Sequence, residues 1–210
     1  MVAPCTSRKE PLHSADLYST PQIALEAIKP FLEEDIAQIA NQKIRVGQSA
    51  QVSILEPCNG LGNISNWLKG QWNQHISDLD VIVNTNELNN WGVFADMTQD
   101  FLNQGPPIPD TYDMVVTNSP YNKAVEFIKQ GFKHAPVQWQ LLRFSFLEGQ
   151  KRYSELFSLG HLTYVYIFSY RISCPKGVAQ EKGENAVCYC WYRFDMDAYV
   201  ESPQLHWLVK

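Results

Sequence analysis

The chain has 210 residues, 45% of them hydrophobic and 12% aromatic, enough for one compact domain with its own core and too much for a mainly disordered chain. The formal net charge of −5 argues on its face against a nucleic-acid partner, which is usually met by a basic excess. No run of about 18 apolar residues occurs, so no membrane-spanning helix and no membrane partner are expected.

Residues 1–17 carry little periodicity and read as a tail. Arg8 and Lys9 are followed by no apolar stretch, so a secretory leader is not expected and the chain reads as cytoplasmic. Thr20 and Pro21 open a helix, Thr20 as N-cap, with apolar positions continuing to Ile39 and a break expected at Pro30. Residues 51–55 form a short strand that runs into Glu56-Pro57-Cys58-Asn59-Gly60-Leu61-Gly62, and residues 64–72 resume as helix. Strands follow at 81–83, stopping at Asn84 to Glu87, at 91–95, stopping at Asp96, and at 114–116, stopping at Thr117-Asn118-Ser119-Pro120-Tyr121. Residues 123–134 form an amphipathic helix, 137–144 a strand, 148–159 a helix, and 162–170 and 186–194 the last two strands.

Strands alternating with helices predict an α/β fold: a mostly parallel, seven-stranded sheet with helices on both faces. The last two strands have no helix between them, so they are expected to pair antiparallel. Ligands of such sheets bind beyond the carboxyl ends of the strands. Glu56, the 84–87 group, Asp96 and Asn118 all end strands, so all open into one crevice.

The Gly60–Gly62 pair allows a tight turn and close backbone approach. It lacks the third glycine of a dinucleotide fingerprint and the Lys of a P-loop. Glu56 beside it would repel a pyrophosphate but suits a ligand with an amino group; a plain strand-to-helix turn is the simpler alternative. Glu87 suits a ribose diol or is a surface acid. Asp96 suits an exocyclic amine or caps a helical turn at 97–101. In the 118–121 corner, the Asn118 amide oxygen and the Ser119 carbonyl can accept both hydrogens of one planar amine. Pro120 fixes that backbone and Tyr121 offers a stacking face; a structural turn is the alternative. The cysteines, Cys5, Cys58, Cys174, Cys188 and Cys190, form no C-x-x-C pair, and the five histidines are scattered. Reduced thiols, mostly buried, and no metal site are therefore expected, with Cys188 and Cys190 on one sheet face.

The order Thr20-Pro21, Glu56-Pro-x-x-Gly60-x-Gly62, Glu87, Asp96 and Asp113-Met-Val-Val-Thr-Asn118-Ser-Pro-Tyr121 resembles the S-adenosylmethionine-dependent amino methyltransferases of DNA, marked by an Asn/Asp-Pro-Pro-Tyr/Phe motif. Residues 141–152 and Arg171 are similar to stretches in small phage and bacterial members, and the likeness spans about residues 17–195. It implies a Rossmann-like methyltransferase sheet, S-adenosyl-L-methionine as cofactor and DNA as substrate. Tyr18 and Thr20 would then contact the methionine part. Glu56, Pro57, Gly60 and Gly62 would form the main loop, Glu87 would hold the ribose, and Asp96 the adenine amine. Asn118, Ser119, Pro120 and Tyr121 would be the catalytic corner, with Asn118 also touching the cofactor. Ser119 departs from the family's Pro, and Asn118 rather than Ser at the head of the motif favours N6 of adenine over N4 of cytosine.

The implied reaction is methyl transfer to an exocyclic amine, and in a duplex the base must be flipped out to reach the site. Lys123, Arg143, Lys151, Arg152 and Arg171 are candidates for phosphate contacts, against ordinary solvated cations. Modification of RNA or of protein glutamine, and a non-catalytic nucleic-acid-binding subunit with the same fold, remain open. The average charge also hides an asymmetry. Residues 1–110 hold 6 Lys+Arg against 13 Asp+Glu, whereas residues 111–210 hold 11 against 9. Residues 18–210 thus read as one catalytic domain with short recognition loops within 122–186, the linker 173–185 being the candidate reader of sequence.

Overall fold

The computed structural model describes residues 17–72, 80–87, 94–103, 111–177 and 187–210. Strands β1 (Val52–Glu56), β2 (Val81–Thr85), β3 (Met114–Thr117), β4 (Val137–Arg143), β5 (Leu162–Phe168), β6 (Tyr189–Asp195) and β7 (Gln204–Leu208) form one sheet in the order β2-β1-β3-β4-β6-β5-β7. The first four strands run parallel, in registers that pair Glu56 with Thr85 and Thr117 with Gln140. Strand β6 is antiparallel to both β4 and β5, as expected for the last pair, and β7 returns parallel to β5.

Helices α1 (Gln22–Glu26), α2 (Lys29–Arg45) and α3 (Asn63–Trp72) precede β3, while α4 (Ala124–Gly131) and α5 (Gln150–Glu155) flank β4. Every residue of β3 is buried, and every residue of β4 except Arg143, so both sheet faces are covered. Met114, Val116, Trp139 and Leu141 join Leu25, Ile36 and Leu68 of α1, α2 and α3 in the larger core. From the same strands, Val115 packs with Phe127 of α4, and Leu142 with Ile128. A buried ion pair ties α2 to β6: Arg193 Nε donates to Asp35 Oδ2 at 2.8 Å and Nη2 to Oδ1 at 3.0 Å, while Trp139 Nε1 also donates to Oδ2.

Five details differ from expectation. The break between α1 and α2 falls at Ala27–Ile28, and Pro30 sits in the first turn of α2, where its missing N–H costs no helical bond. Pro21 rather than Thr20 is the N-cap residue of α1, without a side-chain bond. Of the strand expected at 91–95, residues 91–93 lie outside the described residues, and Phe94 and Ala95 are not in strand; Met97 makes one parallel bridge to Asn86 instead. The seventh strand is β7, an edge strand whose Leu205 and Trp207 are exposed, so no buried stripe betrays it. Cys188 precedes β6 and is exposed while Cys190 is buried, so the two do not share a buried strand face.

Candidate active site

The carboxyl ends of β1, β2 and β3 lie side by side and the loops that leave them are bonded to one another. Asn86 N donates to Glu56 O at 2.9 Å and Asn59 N returns the bond to Asn86 O at 3.0 Å. Gly60 and Gly62 have φ of 54° and 78°, the left-handed region where a side chain is strained, so the turn into α3 needs glycine at both. The Gly60 amide donates to Glu87 Oε2 at 2.7 Å, which draws the end of β2 onto the loop after β1.

A second layer closes over this crevice from the chain's N-terminal side. Tyr18 forms an antiparallel bridge with Lys176, Ser19 N donates to Pro175 O at 2.9 Å, and Gly177 N donates to Leu17 O at 3.0 Å. Residues 17–20 are thereby held across the strand ends. Between the layers lies a cavity of ≈ 170 Å³. Tyr18, Thr20, Pro57, Gly60, Glu87 and Asn118 line it, together with Pro120 and Lys123.

Asn118 occupies the centre of this geometry. Its Nδ2 donates to Tyr18 O at 3.0 Å and to Thr20 Oγ1 at 3.1 Å. A backbone carbonyl only accepts, so the amide nitrogen must face Tyr18 and the oxygen must turn away. That oxygen, Oδ1, is buried and has no hydrogen-bond partner among the described residues. Thr20, expected as a helix cap, thus orients Asn118 instead. Ser119 is buried and donates its hydroxyl to Gln140 Oε1 at 3.1 Å.

Glu56 lies behind the cavity wall rather than on it. Its Oε1 accepts from Cys58 N at 3.0 Å and from the Thr117 hydroxyl, and Oε2 is buried without a partner among the described residues. Burial pushes its carboxyl well above the ordinary range, against the bonds from Thr117 and Cys58 that pull it down. Burial, reinforced by the Glu56 charge, likewise pushes the Cys58 thiol up.

Gly62 shapes the turn but does not line the cavity, and Asp96 is turned elsewhere. Asp96 Oδ2 accepts from Thr85 N and Thr85 Oγ1, both at 2.8 Å, and thereby closes off the end of β2. Gln99 to Leu102 provide the wall on that side instead. Sequence reasoning passed over Asp100, whose carboxylate holds the turn by accepting from Leu102 N at 3.0 Å and from Asn103 Nδ2 at 2.6 Å. Asn86, within the 84–87 group expected at the crevice, lines the cavity, and its Nδ2 donates to Pro57 O and Gln99 O, both at 3.2 Å. An Asp opening a short turn was the one available signal for Asp100.

Tyr121 is packed rather than open. Its ring stacks on Tyr18 with centroids 5.0 Å apart, Arg143 Cζ lies 5.1 Å over it, and Tyr189 is 5.9 Å away. Arg143 Nε is buried with no partner among the described residues. Burial raises the Tyr121 phenol, and pushes the neighbouring Tyr189 and Cys174 up to about 12 each. Arg143 therefore stands among neutral groups.

The other candidate cations are spread out. Lys123 is exposed at the cavity rim, whereas Lys151 lies 3.7 Å from Glu155 on α5. Arg152 Nε donates to Glu148 O at 2.7 Å, and Arg171 Nη1 donates to Cys188 Sγ. Of the candidate reading linker, residues 178–185 lie outside the described residues. Among the described residues no group of His, Cys, Asp and Glu is arranged to hold a metal ion, and no helix is long and apolar enough to cross a membrane.

A mixed seven-stranded sheet of this order, with a cavity at the carboxyl ends of its parallel strands, defines a Rossmann-like α/β methyltransferase fold. No family model and no curated protein sequence matches the chain. Among solved structures, a protein from Pyrococcus horikoshii described as an RNA methyltransferase is similar with a TM-score of 0.53 at 17% identity, over 90% of this chain and 92% of its own. A protein from Vibrio vulnificus described as a modification subunit of a type I restriction enzyme is similar with a TM-score of 0.54 at 10% identity. That match covers 95% of this chain and 48% of the Vibrio chain, so the present chain spans about half the other's length. At these identities the likeness establishes the fold.

Proposed function

We propose that the chain transfers a methyl group from S-adenosylmethionine to the exocyclic N6 amine of adenine in DNA, with the base flipped into the site. The observation that carries this reading is Asn118, whose amide nitrogen is spent on Tyr18 O and Thr20 Oγ1 and whose oxygen is left without a partner. An oxygen held that way is an acceptor waiting for an N–H.

The residues present fit the cofactor. The glycine turn lets a ligand approach the backbone, and Glu87, on the cavity wall beside it, favours a ligand carrying positive charge. Tyr18, Thr20, Gly60 and Glu87 would hold it in the cavity. S-adenosylmethionine, when bound, supplies an electrophilic methyl on a sulfonium. The acceptor amine is a poor nucleophile because its lone pair is delocalised into the ring. Asn118 Oδ1 and the Ser119 carbonyl would accept its two N–H bonds and localise that lone pair, while the pocket holds it in line. The methylated amine then releases its extra proton to solvent, so no general base is needed beforehand.

On this reading residues 18–210 are one catalytic domain, and short loops within 122–186 read the substrate. Adenine in RNA is the second reading, favoured by the near end-to-end match with the Pyrococcus protein. The test is to incubate the full chain with labelled cofactor and unmethylated DNA, RNA and protein, then to analyse the hydrolysed acceptors by mass spectrometry. N6-methyladenine in DNA is expected. Label in RNA alone selects the second reading, and label only in protein overturns both. Asn118→Ala is expected to lower transfer by a factor on the order of 10²–10³ while leaving cofactor affinity within about threefold.

A further inference from the structure

Strand β4 carries two glutamines, Gln138 and Gln140, that are 0% and 1% exposed. Two positions apart in a strand, they share one face, opposite Trp139 and Leu141 in the larger core. An interior amide is costly unless bonded, and aliphatic side chains would fill the same space without that cost. Both amides are bonded, in single file. Ser119 Oγ donates to Gln140 Oε1 at 3.1 Å, Gln140 Nε2 donates to Gln138 Oε1 at 3.1 Å, and Gln138 Nε2 donates to Ile128 O of α4 at 2.9 Å. The helix leaves room for it: a Cβ on Gly131 would lie 2.4 Å from Gln138 Oε1.

We infer that Gln140, backed by Gln138, is a positioning residue that fixes the Ser119 peptide against the sheet and α4. The inference rests on the reading in which the Ser119 carbonyl is the second acceptor for the substrate amine. The resemblance above puts a Pro at this position, whose ring would stiffen the backbone. Ser119 has no ring, and the hydroxyl anchored through two buried amides does that work. A buried, fully bonded polar chain holds one geometry because every broken link leaves an unpaired polar atom in the interior.

The test uses Gln140→Met, which keeps volume and removes both links, with Ser119→Ala as a second variant should the first fail to fold. Amide hydrogen exchange in the peptide spanning 117–123 is expected to rise roughly tenfold or more in either variant, with the exchange of β1 and of residues 114–116 unchanged. Single-turnover methyl transfer is expected to fall roughly tenfold to a hundredfold with cofactor affinity unchanged. Ser119→Pro added to Gln140→Met is expected to restore most of the lost rate, a recovery that a merely structural glutamine would not show. Unchanged exchange at 117–123, or a Ser119→Pro double variant as slow as Gln140→Met, overturns the inference. Absence of transfer by the parent protein to any acceptor overturns the function reading instead, and the exchange measurement still decides the anchor.

Discussion

The two halves of the site are built in opposite states. The half framed by residues 17–20, the 56–62 loop and Glu87 holds an open cavity walled by loops that bond to one another, with buried carboxyl groups at its back. The half around Tyr121 is filled by its own side chains: Tyr18 stacks on the ring, Arg143 lies over it, and Asn118 Oδ1 is covered. One half is ready for a ligand and carries the Glu87 carboxylate on its wall. On the proposed function the other would have to rearrange before a base stacks there, and it holds a guanidinium nitrogen with no described partner. On that reading the cofactor needs little reorganisation, whereas the acceptor's binding energy would also have to displace side chains.

Arg143 gives the larger test of that contrast. Arg143→Met keeps most of the stem and removes the charge. Affinity for acceptor nucleic acid is expected to fall on the order of tenfold, and the slope of log affinity against log salt to shrink by about one. Cofactor affinity should not change, and a calorimetric titration of each ligand checks both statements. An equal loss of cofactor affinity would mean that the halves are not separately built.

Glu56 gives the smaller test. Its carboxyl keeps a proton when folded at a pH where the unfolded chain has lost it. The stability it contributes is therefore complete below the ordinary carboxyl value of about 4.3 and is lost as the pH rises through the raised folded value. Glu56→Gln has no proton to hold. It is expected to raise the melting temperature of the ligand-free protein at pH 7 by about 2–4 °C and to leave it unchanged near pH 4. A lower melting temperature at both pH values would show that the carboxylate itself stabilises the empty loop.

Much of this arrangement was legible from local pattern. Short apolar runs ending in Glu56, Glu87 and Asn118 placed β1, β2 and β3, and the Gly60–Gly62 pair marked a turn whose positive φ angles require glycine. What escaped depends on partners distant in sequence. Thr20 reads locally as a helix cap, but its hydroxyl is taken by Asn118, 98 positions away. Asp96 reads as a strand-end acid free for a ligand, yet it folds back onto Thr85. The seam between residues 17–20 and 175–177 has no apolar periodicity, since it is made of backbone bonds. Arg143 reads as an exposed phosphate contact, and only the fold lays it over Tyr121. The edge strand β7 hides because one-sided burial leaves Leu205 and Trp207 looking like loop residues.

On the proposed function, the cavity beside Asn118 is a cofactor site already formed in the protein. Calorimetric titration of the full chain with S-adenosylhomocysteine tests it most directly. One-to-one binding is expected, and its loss in Gly60→Val, because a β-branched residue does not adopt φ of 54° and its Cβ would sit 3.0 Å from Leu17 Cδ1. Absence of binding at millimolar ligand, or full binding by Gly60→Val, would contradict it.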